Sequence, residues 1–180
     1  MKPLRPLLIA LVAAGIFVGC SKTPTKSPDV APSIRRSLDQ AGLRDVSVSQ
    51  DRDKGIVTLG GHVSNDSDKA QAESLAKAQA GDQVVANQIA VIPPGAGSEA
   101  KTVNSDLDKG IEKNLDAALV RQGLHRNVKY SVKNGVVTLT GEVTSQSQRA
   151  AAEKIASSVP NTQQVVNDLQ IKNQKATSAH

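Results

Sequence analysis

A single cysteine, Cys20, stands in 180 residues, so no intramolecular disulfide can form and no paired thiolates exist for a zinc, iron–sulfur or redox site. Aromatic residues make up 1% of the chain; Phe17 falls in the first twenty residues, which leaves Tyr130 as the one aromatic side chain beyond Cys20. Any core must therefore be aliphatic. No two of the three histidines share a metal-ligand spacing, no phosphate loop or glycine-rich nucleotide fingerprint occurs, and no Ser, His and acid constellation is signalled. The chain is expected to be no enzyme and to need no cofactor or metal. Nucleic acid is not expected as a partner either, because the basic residues lack interleaved aromatics. The length permits one ordinary domain or two small ones.

What is present begins with an address. Lys2 and Arg5 precede an apolar run from Leu7 to Val18, too short to span a bilayer comfortably and typical of a cleaved secretory signal. Val18-Gly19-Cys20 resembles a bacterial lipobox, with Phe17 where Leu is usual; Cys20 would then be acylated and become the first residue of the mature protein. The alternative is a Cys that ends an uncleaved signal anchor. Several acyl chains give stable anchoring where one would not. Ser21 follows, and the absence of Asp there favours the outer membrane over the inner one. The chain is thus expected to be exported and lipid-anchored, facing the periplasm. Loss of Lys2 and Arg5 takes the formal charge from +5 to +3. The segment after Cys20, rich in Pro, Ser, Thr and Lys, reads as a flexible tether.

The body of the chain is a duplication. A shift of 80 residues lays Gly55-Ile56-Val57-Thr58-Leu59-Gly60-Gly61-His62-Val63 on Gly135-Val136-Val137-Thr138-Leu139-Thr140-Gly141-Glu142-Val143. Over residues 55–91 and 135–171, 14 of 37 positions are identical, which makes one fold for both halves the simplest reading.

Each half opens on a helical pattern, Val30, Ile34, Leu38 and Ala41 ending at Gly42, and Leu107, Ile111, Leu115, Ala118 and Leu119 ending at Gly123, with Ser105 placed as N-cap. Val128, Tyr130 and Val132, then Val137, Leu139 and Val143, alternate with polar residues as half-buried strands joined by an Asn134-Gly135 hairpin; Asp53-Lys54-Gly55 serves in the first half. Ser145-Gln146-Ser147-Gln148 reads as a capping box opening a helix that ends at Pro160, and Asn65 or Ser67 starts its counterpart. A last strand follows, 85–92 and 165–172. The expected fold class is α+β: two tandem αββαβ domains, each a three-stranded mixed sheet with two helices on one face and a right-handed crossover. The expected boundaries are a signal at 1–19, tether at 20–29, first domain at 30–92, linker at 93–103, second domain at 104–172 and disordered tail at 173–180.

The residues Gly135, Val137, Leu139, Gly141, Val143, Arg149, Ala152, Ala156, Val165 and Asn167, with Gly55, Val57, Leu59, Gly61, Val63, Ala72, Ala76, Val85 and Asn87 in the first copy, resemble the BON domain of osmotically inducible envelope proteins. A lipobox followed by two such units is similar to the dual-BON outer-membrane lipoproteins. The resemblance implies attachment to phospholipid and support of membrane integrity, with no catalysis. The loops before the last strands, Gly81-Asp82-Gln83-Val84 and Asn161-Thr162-Gln163-Gln164, depart from the family's Gly-Val pair, which bears on loop geometry rather than on fold.

Charge points to a site. Residues 21–92 carry nine basic and nine acidic side chains and residues 93–180 eleven and eight, so the surplus lies in the second half. Ala117 to Gly141 holds Arg121, Arg126, Lys129 and Lys133 with no acid. These four are the candidate contacts with an anionic phospholipid membrane, each worth about 1 kcal/mol at the surface. They read equally well as a solvated strand edge on which Lys discourages aggregation. A rival to lipid attachment is a scaffold whose strand edges recruit envelope proteins. Tyr130, in phase with Val128 and Val132, is expected in the core. Asn87 and Asn167 are expected to satisfy backbone groups, and Gly61 and Gly141 to permit a close approach.

Overall fold

The computed structural model describes residues 26–172, so the signal, Cys20 and the tail from 173 lie outside the described residues. The order is α1 (Ala31–Gln40), β1 (Val46–Asp51), β2 (Ile56–Val63), α2 (Asp66–Ala80), β3 (Val84–Asn87), β4 (Ala90–Val91), α3 (Gly97–Arg121), β5 (Val128–Lys133), β6 (Val136–Val143), α4 (Gln146–Ser157) and β7 (Gln164–Ile171). The first sheet runs β1-β2-β3 with β4 also on β2, and the second runs β5-β6-β7. In each, the first pair is antiparallel and the pair bridged by a helix is parallel. No helix among the described residues is long and apolar enough to cross a membrane.

Local chemistry sets the elements as the sequence predicts. Asn134 and Gly135 take φ of 48° and 76°, the left-handed pair of a tight hairpin turn. The Asp108 carboxylate accepts from both of their N–H groups at 2.8 Å. The first hairpin has two residues more, so Val48 opposite Leu59 corresponds to Tyr130 opposite Leu139. Asn65 caps α2 and Ser145 caps α4, each accepting the N–H three residues on. Gln148 closes its box one residue early, on the N–H and hydroxyl of Thr144.

Each domain has its own aliphatic core on the helical face of its sheet. Ile34 and Leu38 from α1 and Ala72 and Ala76 from α2 close over Val57, Leu59 and Val85; Ile111, Leu115, Ala152 and Ala156 repeat this over Val137 and Leu139. At Gly141, φ is 117° and an added Cβ would collide with the carbonyl oxygen of Asn127; Gly61 has the same relation to Asp45. The glycines let the chain entering the first strand cross directly over the second.

Three expectations need correction. Helix α3 begins at Gly97, so residues 97–103, expected as linker, are helical and Ser105 lies inside the helix rather than at its cap. The stop comes earlier, at Pro94 and Gly95 (φ 83°), and nothing after Gly97 breaks the helix; Glu99 sits in its first turn, where the dipole favours an acid. Leu107, expected in the core, is 44% exposed and lines a groove with Ile89, Ala90 and Val91 of the first domain. The last strand of the first domain is interrupted between β3 and β4. There the Gln88 carbonyl accepts from Asn134 Nδ2 of the second domain at 2.8 Å, which diverts it from the ladder.

The two domains meet through the sheet faces opposite their helices. Ala86, Val136 and Val166 are buried there, with Ile56 beside them. The contacts follow an approximate two-fold: Lys54 pairs with Asp168 at 2.8 Å, while Asn134, the counterpart of Lys54, bonds the carbonyl of Gln88, the counterpart of Asp168. The Asp168 carboxylate raises the pKa of Lys54 by hydrogen bonding and by charge. Gln164 breaks the symmetry. Its Nε2 donates to Val85 O at 2.7 Å and its Oε1 accepts from Asn87 N–H at 2.9 Å, so one side-chain amide serves as a strand partner on the open edge of β3.

The glycines give a graded test. Gly141→Ala should cost about 3 kcal/mol in urea unfolding, by collision plus positive φ. Gly123→Ala, whose Cβ would meet nothing within 4 Å but whose φ is 67°, should cost about 1 kcal/mol. Gly110→Ala, in open space on α3, should stabilise by about 1 kcal/mol.

Candidate functional site

The charged corner of the second domain is built by the way α3 stops. Ile111, Leu115 and Leu119 hold the helix on the core, and Gly123 then turns left-handed: its N–H donates to Val120 O at 3.0 Å and that of Leu124 to Leu119 O at 2.9 Å. Leu124 turns into the core. The N–H groups of Asn127 and Val128 both return to its carbonyl at 3.0 Å, which throws His125 and Arg126 outward. Arg121 is the exposed last residue of α3, and Val120 beside it is 50% exposed. Lys129 is the first outward residue of β5. The stretch from α3 to β5 thus exposes Val120, Arg121, His125, Arg126 and Lys129.

Lys133 does not join them. It ends β5, four residues and about 13 Å along the strand from Lys129. There it lines a groove between the domains with Asp108, Glu112 and His62. Cys20 lies outside the described residues.

The first domain turns the corresponding corner with Arg44 beside Asp45. Gly42 (φ 80°) caps α1, and Leu43 N–H reaches Leu38 O at 2.9 Å. Its outward strand residues are Ser47, Ser49 and Asp51 where β5 has Lys129, Ser131 and Lys133, and Asp45 sits in its turn. The second turn is one residue longer than the first, and while Arg44 matches Arg126, only the second half adds Lys129 and Lys133 on the strand that follows.

The other polar candidates are structural. Asn87, 4% exposed, donates from Nδ2 to Lys69 O at 3.3 Å and Glu73 Oε2 at 2.9 Å, and its Oδ1 accepts from Ile89 N–H. Asn167 repeats this clasp on Arg149 O, Glu153 and Leu169 N–H. Each ties the second helix of its domain to the last strand. Glu73 is held below the usual carboxylate pKa, first by the Asn87 bond and then by Lys77. Burial holds Lys69 below the usual amine value. Tyr130 is half-buried against the second core, and burial followed by the Asp116 carboxylate pushes its hydroxyl pKa up. Among the described residues no group of three His, Cys, Asp or Glu is placed to hold a metal ion.

With two such domains in place, comparison with known proteins is decisive: the BON domain matches residues 28–93 and again 107–173. The chain belongs to the BON-domain family. Osmotically-inducible protein Y of Escherichia coli (strain K12) is 30% identical over 137 residues, which are 75% of this chain and 67% of that protein. Two solved structures of CdsD, a structural protein of the type III secretion system of Chlamydia trachomatis, are also similar. The first, of its C-terminal domain, has 16% identity and a TM-score of 0.33 over 79% of this chain and 65% of that one. The second has 15% identity and 0.35 over 81% and 93%.

Sequence reasoning placed three of its four cations on one corner and kept Lys133 with them because strand distance is not visible in a charge count. It did not find Val120, which counts as one more apolar helix residue until its exposure is known, nor Gln164, whose role depends on the other domain.

The Asn–Glu clasps predict an acid limb of stability. Because the folded pKa of Glu73 lies below its ordinary 4.5, the stabilisation is complete above 4.5 and is lost as pH falls through the folded value. Urea midpoints should fall below pH 4.5 for the natural chain and follow a flatter curve for Glu73→Gln, which keeps an acceptor for Asn87 but has no charge to lose.

Proposed function

We propose that this BON-domain protein is a non-catalytic envelope lipoprotein, exported and acylated at Cys20, that lies on the periplasmic face of the outer membrane and supports its integrity. Its second domain attaches to anionic phospholipid. The observation that carries the reading is the α3–β5 turn: Val120, Arg121, Arg126 and Lys129 are all exposed in a stretch with no acid, whereas the first domain keeps Arg44 for Arg126 but has Asp45 and Ser47 where the second has Asn127 and Lys129. Exposed apolar and cationic side chains in one stretch favour the headgroup region, the first entering it and the second meeting phosphate. Kinship with a protein named for osmotic induction supports a role in osmotic or envelope stress.

Three surface cations at about 1 kcal/mol each amount to about a hundredfold in binding at low salt. Residues 21–180, which contain every described element, should float with vesicles containing phosphatidylglycerol and not with phosphatidylcholine alone. The Arg121→Gln, Arg126→Gln, Lys129→Gln triple variant should bind about a hundredfold more weakly, whereas Lys133→Gln changes little. Binding should also fade as ionic strength rises and the Debye length shrinks. Equal binding to both vesicle types, or none by the folded chain, overturns the phospholipid reading. Cys20→Ser in the full chain should separately move the protein from the membrane pellet to the soluble fraction.

A further inference from the structure

The duplication supplies an internal comparison at the outer edge of the last strand. In the first domain that edge is filled. Val84 N–H bonds Gly55 O and Gln88 N–H bonds Leu59 O, so residues 85 and 87 turn their backbone groups away from β2. The Gln164 carboxamide bonds Val85 O and Asn87 N–H there, and Lys69 Nζ donates to Gln163 Oε1 at 2.9 Å. Two adjacent glutamines thus dock on one strand edge and one helix cation.

The second domain has the same fittings. Gln164 N–H and Lys172 N–H bond Gly135 O and Val143 O, so Val165 and Asn167 turn outward as Val85 and Asn87 do. Arg149 stands at the position of Lys69, and the Asn167–Glu153 clasp matches Asn87–Glu73. Here nothing docks. Among the described residues no partner meets Val165 O or Asn167 N–H, and Arg149, which spends Nη2 on Asn167 O, keeps a buried Nε with no partner. Beside this edge lies an open groove of about 630 Å³ between α4 and β7, lined by Ala150, Glu153, Lys154, Ser157 and Val165.

The first domain does not supply the missing amides. Val84 replaces Gln164 and is 46% exposed, and Gln83, which replaces Gln163, is held by Gln50 and Pro28 O. The described chain leaves β7 at Lys172, about 23 Å along the strand from Val165. A second copy has its Gln163 and Gln164 engaged within itself.

We infer that Val165, Asn167 and Arg149 form a docking site for a separate polypeptide that presents adjacent glutamine carboxamides in an extended segment. The carboxamide is a peptide group in miniature, so the partner's main chain continues along β7 where its side chains begin. This site is at the opposite flank of the domain's chemistry from the phospholipid corner and does not depend on it.

The probe is a peptide with the sequence of Pro160–Leu169, titrated into isotopically labelled residues 21–180 and followed by NMR. Saturable shifts at Arg149, Val165 and Asn167 at millimolar peptide are expected. A peptide with both glutamines changed to Ala should bind at least about tenfold more weakly, as loss of several hydrogen bonds requires. Arg149→Lys should retain binding, since Lys69 serves in the first domain, and Arg149→Ala should lose it, with changes in the unbound spectrum confined to the neighbourhood of Asn167, whose carbonyl Arg149 bonds. Shifts confined to Lys69 and Asn87, equal binding of the Ala peptide, or no shift at all would each overturn the proposal. Concentration-dependent shifts at β7 without peptide would assign the edge to a second copy and overturn it too.

Discussion

The scarcity of aromatic side chains sets the terms for this fold. Each domain closes its core with twelve buried residues, none larger than Leu or Ile, in a unit of some sixty residues that is marginal by itself. The remaining apolar surface is on the other face of each sheet, and the seam between the domains buries it: Ala86, Val136, Val166 and Ile56 lie under the pairs Lys54–Asp168 and Asn134–Gln88. The small core also demands close approach. Gly61 and Gly141 let a carbonyl sit where a side chain would be, and Ala72, Ala76, Ala152 and Ala156 bring helix backbones down onto the sheets.

Once two copies share a seam, selection on one is no longer selection on the other. Backbone geometry is preserved at the glycine caps that end the first helices, at the side-chain caps of the second helices and at the Asn–Glu clasps, because each satisfies groups that any copy of the fold must bury. Charge is not so bound. A corner that is Arg44, Asp45 and Ser47 in one copy becomes Arg126, Asn127 and Lys129 in the other, with His125 added, at no cost to the core, since all of them face water. Divergence therefore collects at the turn from α3 to β5 and at the outward residues of β5.

Much of this was legible in the residues. Periodicity marked the helices and strands, Asn134-Gly135 marked its turn, and a shift of 80 aligned Asn87 with Asn167 and Gly61 with Gly141, which identified them as parts of the fold rather than of a site. What was illegible depended on the other domain. Val136 and Val166 occupy the outward phase of strands and look like ordinary β-formers; they are buried only because the first domain covers them. The early start of α3 was hidden because Ala96, which precedes it, offers no capping side chain. Lys133 was grouped with Arg121, Arg126 and Lys129 by sequence distance, while a strand carries its two ends apart at about 3.3 Å per residue.

An approximate two-fold between unequal halves has a consequence for edges. With identical copies, whatever closes the edge of β3 would also close that of β7, and the molecule would be sealed at both. Here the closing group is a single side chain, Gln164, and its counterpart is Val84, which has no hydrogen bond to give. One substitution is therefore enough to seal one strand edge and leave its twin open. Exposed edges invite pairing, and proteins blunt them with charge when they have no use for them. Along β7 the side chain laid over the edge is Arg149, a cation with donors to spare, which repels another cation and receives a carbonyl. That choice blunts the edge against indiscriminate pairing while leaving it receptive to a partner that brings acceptors.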